Sequence, residues 1–217
     1  MKHLRILVLI LCACFVSVTW GQPLTSKAYT PWAQFHRANM QRFNPCEKVL
    51  NVHNVEGLSL KWSYTTGGGV VGAAAVANGV VYVGSNDHNQ YALNASTGAP
   101  LWSYATGDVG TSPTVANGVV YVSPYSDWYS NLYALNASTG AELWSYSDRG
   151  FLSSPAVANG VVYIGSWDHK VYALNAKTGK KLWSYTTGSS VDSSPAVANG
   201  VVYFSPSNGG VYAFGLK

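Results

Sequence analysis

The chain has 217 residues, a formal charge of +4, 13% aromatic residues and only 10% charged ones, where soluble chains usually carry about 25% charged residues. With 22 Gly, 15 Tyr and 8 Trp, the composition suits short strands and tight turns and argues against long surface helices. The basic residues are scattered, which excludes a nucleic-acid-binding stripe, and the length allows one sizeable core or a short repeat array.

Residues 1–21 read as an export signal. Lys2 and Arg5 give a positive start, Ile6–Val18 is apolar but shorter than the roughly 20 residues of a membrane span, and Thr19-Trp20-Gly21 places small residues for cleavage after Gly21. A rival cut at Leu11-Cys12-Ala13-Cys14 would make Cys14 a lipid-bearing residue, but the apolar Phe15, Val16, Val18 and Trp20 that follow favour the first. Removal of 1–21 leaves no further spanning segment, lowers the charge to +2 and keeps only Cys46, so no internal disulfide is expected and the fold must rest on packing and strand pairing. The expected location is the periplasm or the cell exterior. Residues 22–57 form a lead-in.

From 58 onward the chain repeats itself. Val-Ala-Asn-Gly-Val-Val-Tyr occurs at 76–82, 115–121, 157–163 and 197–203. Tyr-Ala-Leu-Asn-Ala occurs at 91–95, 133–137 and 172–176, with a variant at Tyr212-Ala213-Phe214. Trp62, Trp102, Trp144 and Trp183 stand 40, 42 and 39 residues apart. The repeats run over about 70–107, 109–149, 150–188 and 190–217, with 58–66 in addition. In the first, strand A is expected over Val70–Val76, B over Val80–Gly84, C over Gln90–Asn94 and D over Leu101–Thr106. Asn78-Gly79 between A and B favours the positive φ angles of a two-residue hairpin, and Gly98 provides the left-handed position after the C strand. Four antiparallel strands in about 40 residues describe the blade of a β-propeller, in an all-β fold.

The Trp strand over Leu58–Thr66 precedes the first A-B-C set, and the last set has no Trp strand of its own. This offset predicts four four-stranded blades closed by the N-terminal strand, with Lys217 a true end. Small residues on the inner strands (Gly72-Ala73-Ala74-Ala75, Thr111-Ser112-Pro113, Ser153-Ser154-Pro155, Ser193-Ser194-Pro195) permit a tight four-fold axis. A four-bladed monomer is therefore the first expectation and a dimeric eight-bladed ring the second.

Ala92/Asn94/Gly98/Trp102 recurs as Ala134/Asn136/Gly140/Trp144 and Ala173/Asn175/Gly179/Trp183. This pattern resembles the pyrroloquinoline quinone (PQQ) repeat, the tryptophan-docking blade of the quinoprotein alcohol dehydrogenase-like superfamily, over residues 58–217. The lead-in, Trp32-x-x-Phe35-His36 to Asn54-Val55, resembles that of exported bacterial PQQ-like repeat proteins. The resemblance implies that Trp62, Trp102, Trp144 and Trp183, with Gly98, Gly140 and Gly179, dock blade on blade. In the enzymes of this family, usually eight-bladed, it implies PQQ with calcium, a catalytic Asp and often two adjacent cysteines. In the BamB-type relatives it implies protein binding without a cofactor. The mature chain has no adjacent cysteines and its acidic residues are dispersed, so no catalytic or cofactor residue is assigned and no cofactor is expected.

Positions that differ between blades are those free for function. They fall in the B–C loops (85–89, 123–131, 166–169, 205–210) and in D–A loops carrying Asp108, Asp148, Arg149 and Asp192, which share one face of a propeller. Asp87-His88 and Asp168-His169 are weak candidates for a divalent metal, against the reading that they are turn residues, since Asn208-Gly209 fills the same place in the fourth blade. Tyr125, Asp127, Trp128 and Tyr129 on the longest B–C loop, with Trp167 and Arg149, are candidates for a platform that binds a protein, peptide or glycan. Thr66-Gly67-Gly68-Gly69 lacks the Lys-Ser/Thr of a phosphate loop, and no nucleophile–base–acid set stands out. The expectation is an exported non-catalytic binding or scaffold propeller. A redox quinoprotein is the second reading, and a shortened family member without retained activity the third.

Overall fold

Asn-Gly opens every blade. Asn78, Asn117, Asn159 and Asn199 have φ between 48° and 52°, and the glycines after them have φ between 75° and 78°. Two successive positive φ angles are the geometry of a two-residue type I′ hairpin, whose twist matches that of the flanking strands. The structure is a computed structural model describing residues 48–124, 130–148, 150–151 and 153–216. The expected signal, Cys14, Cys46, Arg149, Tyr125, Asp127, Trp128 and Tyr129 lie outside the described residues.

Blade one comprises β1 (Ala75–Ala77), β2 (Val80–Ser85), β3 (Asn89–Asn94) and β4 (Pro100–Ala105). Blade two comprises β5 (Thr114–Ala116), β6 (Val119–Val122), β7 (Ser130–Asn136) and β8 (Glu142–Asp148). Blade three comprises β9 (Ala156–Ala158), β10 (Val161–Gly165), β11 (Lys170–Asn175) and β12 (Lys181–Thr186). Blade four contains β13 (Ala196–Ala198), β14 (Val201–Phe204) and β15 (Tyr212–Gly215). Each sheet is antiparallel with its strands in sequence order. A register shift next to the Trp strand recurs in the three complete blades and sets Trp102, Trp144 and Trp183 opposite Ala92, Ala134 and Ala173.

Two expectations are corrected. Strand A is short: β1 begins at Ala75, not Val70. The reason is that its lead-in bonds the neighbouring blade instead of its own ladder. The Ala73 N–H donates to Ser112 Oγ (2.8 Å), the Ser112 N–H to Ser154 Oγ (2.9 Å) and the Ser154 N–H to Ser194 Oγ (3.1 Å). The hydroxyls of the inner Ser-Pro segments thus stitch blade to blade, and Gly72 is glycine because a Cβ there would lie 2.4 Å from the Thr111 carbonyl oxygen.

The second correction concerns closure. Three sheets have four strands and the fourth has three. Residues 58–66 form no strand, and no pairing between them and β15 is found among the described residues. Trp62 is nonetheless held by blade one, where its indole N–H donates to the Ala95 carbonyl (3.0 Å).

Burial follows the blade-on-blade arrangement. One apolar cluster joins blades one and two (Tyr82, Ala92, Val109, Val120, Leu135), and a second joins blades two and three (Tyr121, Leu132, Phe151, Ile164, Tyr172). A smaller third cluster joins blades three and four through Val171, Val191, Val202 and Phe204. Consecutive buried residues, as over Tyr82–Ser85 in β2 and Val171–Leu174 in β11, show that both faces of these strands are covered.

Candidate functional site

The B–C and D–A loops are tied into one face by main-chain bonds. The Thr106 and Gly107 N–H groups donate to the His88 carbonyl, the Thr187 N–H to the His169 carbonyl, and the Trp167 N–H to the Gly150 carbonyl. The glycine run before blade one belongs to the same bracing. A Cβ on Gly68 would lie 2.5 Å from the Asp87 main-chain nitrogen, so that stretch is glycine because two backbones meet there.

The Asp-His pairs serve as turns. His88 and His169 have φ of 72° and 67°, the left-handed conformation that Gly209 adopts at 83° in blade four. The Asp87 carboxylate accepts from the Gly67 N–H (2.7 Å), the Tyr91 hydroxyl (2.8 Å) and the Asn89 N–H (3.1 Å). Burial raises its pKa, but the bonds from Tyr91, Gly67, Asn89 and Ser85 outweigh this and hold it below the usual carboxylate value. Its bond in turn pushes the Tyr91 hydroxyl up to about 12, burial adding to the shift.

Asp168 repeats the arrangement. It accepts from the Tyr172 hydroxyl and from the Lys170 ammonium (2.9 Å). Burial pushes the Asp168 carboxyl up, and the bonds from Tyr172, Lys170 and Ser166 bring it below its ordinary value. Burial, then Asp168, raises Tyr172. This Asp–Tyr brace, four residues apart in blades one and three, was not singled out by sequence reasoning. Its signal was the Asp-His-x-x-Tyr spacing at 87–91 and 168–172.

His88 Nδ1 lies 2.7 Å from Asp108 Oδ1 across the B–C and D–A loops, with both side chains exposed. Among the described residues no group of three or more His, Cys, Asp and Glu side chains converges to hold a metal. The acidic groups of Asp87 and Asp168 are instead turned to tyrosine hydroxyls, lysine and main-chain N–H groups, a donor set that braces hairpins and does not fit a calcium-bound quinone. Trp167, next to Asp168, remains 40% exposed.

On the opposite face the repeated turn residues brace the blades. Asn94, Asn136 and Asn175 each accept from two main-chain N–H groups in the turn that follows. A Cβ on Gly98, Gly140 or Gly179 would lie 2.5, 2.8 or 2.7 Å from the indole of Trp62, Trp102 or Trp144. These indoles donate to the carbonyls of Ala95, Ala137 and Ala176, each at 3.0 Å. Every docking indole therefore reaches the blade that follows its own strand. Trp183 has only the shorter end of blade four to meet; it packs edge-on against Phe214 (4.9 Å) and is 37% exposed.

Comparison with known proteins follows this geometry. Residues 20–151 and 129–217 match the family described as outer membrane protein assembly factor BamB. BamB from Moraxella catarrhalis superposes with a TM-score of 0.62 at 25% identity, over 72% of this chain and 49% of that one. Quinohemoprotein alcohol dehydrogenase from Comamonas testosteroni superposes with a TM-score of 0.67 at 21% identity, over 80% of this chain and 35% of that one. The dehydrogenase subunit of the quinone alcohol dehydrogenase of Gluconobacter oxydans is 35% identical over 99 residues, 42% of this chain and 13% of its own length. The chain thus spans about half of the BamB structure and a small part of the curated dehydrogenase. No helix among the described residues is long and apolar enough to cross a membrane. Blades joined by indoles over glycines, and a family match running from residue 20 to residue 217, lead to one conclusion: the chain belongs to the BamB family of PQQ-like repeat β-propellers.

Proposed function

We propose that the chain is an exported, non-catalytic scaffold propeller, acting in the periplasm or outside the cell, which binds an extended polypeptide on the face built by the B–C and D–A loops. The observation that carries this reading is the contrast between the two kinds of residue on that face. Its Asp87 and Asp168 carboxylates are committed to bracing hairpins, while Trp167 offers an exposed indole on a main-chain-fixed loop. A rigidly held aromatic is the side chain that most often dominates a protein interface. The BamB match adds that a family member is an outer membrane protein assembly factor. Titration with a synthetic peptide of alternating aromatic and polar residues tests the reading. Saturable binding is expected, weakened about tenfold or more by Trp167→Ala with an unchanged melting curve. Binding of a glycan in its place, or peptide binding indifferent to Trp167→Ala, contradicts it.

The second reading, a PQQ-dependent redox protein, is favoured by the identity to the Gluconobacter dehydrogenase subunit. It requires carboxylates and amides that converge on one metal and one quinone, and the described acidic residues of this face are bound to other partners.

A further inference from the structure

The seam between blades one and two has three parts. Trp102 lies on Gly140, its indole N–H donates to the Ala137 carbonyl, and the hydroxyl of Tyr82, from the B strand of the same blade as Trp102, donates to that carbonyl at 3.1 Å. The seam between blades two and three repeats them with Trp144, Gly179, the Ala176 carbonyl and Tyr121 at 3.0 Å. At the free side of blade one the same seam is half made. Trp62 lies on Gly98 and donates to the Ala95 carbonyl, and Tyr64 packs against Tyr91 at 5.7 Å as Tyr104 packs against Tyr133. The B-strand tyrosine that belongs with Trp62 is absent from it.

Blade four shows the converse. Its B-strand tyrosine, Tyr203, stands where Tyr82 and Tyr121 stand but is 39% exposed, against 3% for each of those. The outer edge of β15 has no strand on it among the described residues, and Val211 beside it is 74% exposed. Among the described residues, 58–66 thus holds the position of an outer strand without a blade, and β13–β15 is a blade without an outer strand. The superposition takes 72% of this chain and only 49% of the BamB chain, a share that leaves room for a second set of blades of this size. Residues 58–66 also rest on blade one without pairing to β15 of the same chain.

We propose that two copies of this chain form one eight-bladed ring, in which 58–66 of each copy is the outer strand of the other's blade four. The register follows from the complete blades, where Ala92 faces Trp102 and Tyr91 faces Ser103. Trp62 then faces Ala213 of the second copy and Ser63 faces Tyr212. The second copy's Tyr203 hydroxyl reaches the Ala95 carbonyl, joining the Trp62 indole there. The arrangement is isologous: each copy gives one strand and receives one, and both exposed sheet edges disappear. The proposal stands apart from the binding reading, since it concerns assembly and not the loop face.

Light scattering on the purified exported chain is expected to give twice the mass of one chain. Tyr203→Phe removes one hydroxyl from each of the two seams and is expected to raise the dimer dissociation constant roughly thirtyfold; an unchanged constant overturns the placement of Tyr203. In a Cys46→Ser background, Ser63→Cys combined with Tyr212→Cys is expected to run as a covalent dimer on a non-reducing gel after oxidation. A cross-linked species of single-chain mass shows the strand folding back on its own blade four and overturns the proposal. A single-chain mass without cross-linking, or a ladder of larger assemblies, overturns it as well.

Discussion

Two glycines of nearly equal backbone angle separate the docking energy from backbone strain. Gly118 has φ +76° and nothing within 4 Å of an added Cβ; Gly140 has φ +74° and would place its Cβ 2.8 Å from the Trp102 ring. Alanine at either position enters the left-handed region at a cost of about 1–2 kcal/mol. At Gly140 the indole must also move off the turn. That shift loses its bond to the Ala137 carbonyl, about 0.5–1.5 kcal/mol, and part of the ring's burial, at roughly 25 cal/mol per Å² of apolar surface re-exposed. If about 50 Å² is re-exposed, the burial loss is about 1.3 kcal/mol. Gly140→Ala should therefore destabilise by about 3–5 kcal/mol and Gly118→Ala by about 1–2. Urea unfolding followed by far-UV circular dichroism measures both, and near-UV dichroism reports the Trp102 environment. Equal losses for the two variants, with an unaltered near-UV band, would refute the claim that docking of the indole on the glycine holds the blades together.

Two further outcomes test particular side chains. The Gln90 side-chain oxygen is buried without a hydrogen-bond partner among the described residues, while blades two and three have Leu132 and Val171 at the same place. Gln90→Leu should raise stability by about 1–2 kcal/mol, measured by thermal melting. For Asp168, the folded-state pKa lies below the unfolded one, so the brace contributes stability above the unfolded carboxylate range and loses it as pH falls through the folded value. Asp168→Asn should flatten the fall in melting temperature on acidification below about pH 4, and a wild-type slope retained by the variant would contradict the assignment.

Sequence reading reached furthest where one residue type has one geometric use. Asn-Gly predicted hairpins because few other pairs tolerate two positive φ angles, and the Ala-x-Asn-x-x-x-Gly-x-x-x-Trp pattern carried the seam because glycine alone admits the ring. It fell short where the partner lies about 40 residues away. The Ser112–Ser154–Ser194 stitch was read only as small residues near an axis, because a hydroxyl's acceptor role depends on which neighbouring N–H the fold supplies. Closure is a similar case: counting strands places 58–66 in the position of an outer strand, yet the count says nothing about whose blade it completes, and no pairing with β15 is found among the described residues. For the loop face, Asp87 and His88 read as turn residues with metal ligation a weak alternative, and that reading did not reach the Tyr91 hydroxyl and the Gly67 N–H on the carboxylate.

The central claim is that the family motif in this chain joins blades and that its loop face holds polypeptide, with no quinone centre. Titration of the purified chain with PQQ in the presence of calcium, followed by quenching of its tryptophan fluorescence and by dye-linked alcohol oxidation, tests it most directly. The account predicts no saturable quenching and no oxidation above that of free PQQ. Stoichiometric quenching with calcium-dependent alcohol oxidation would contradict it.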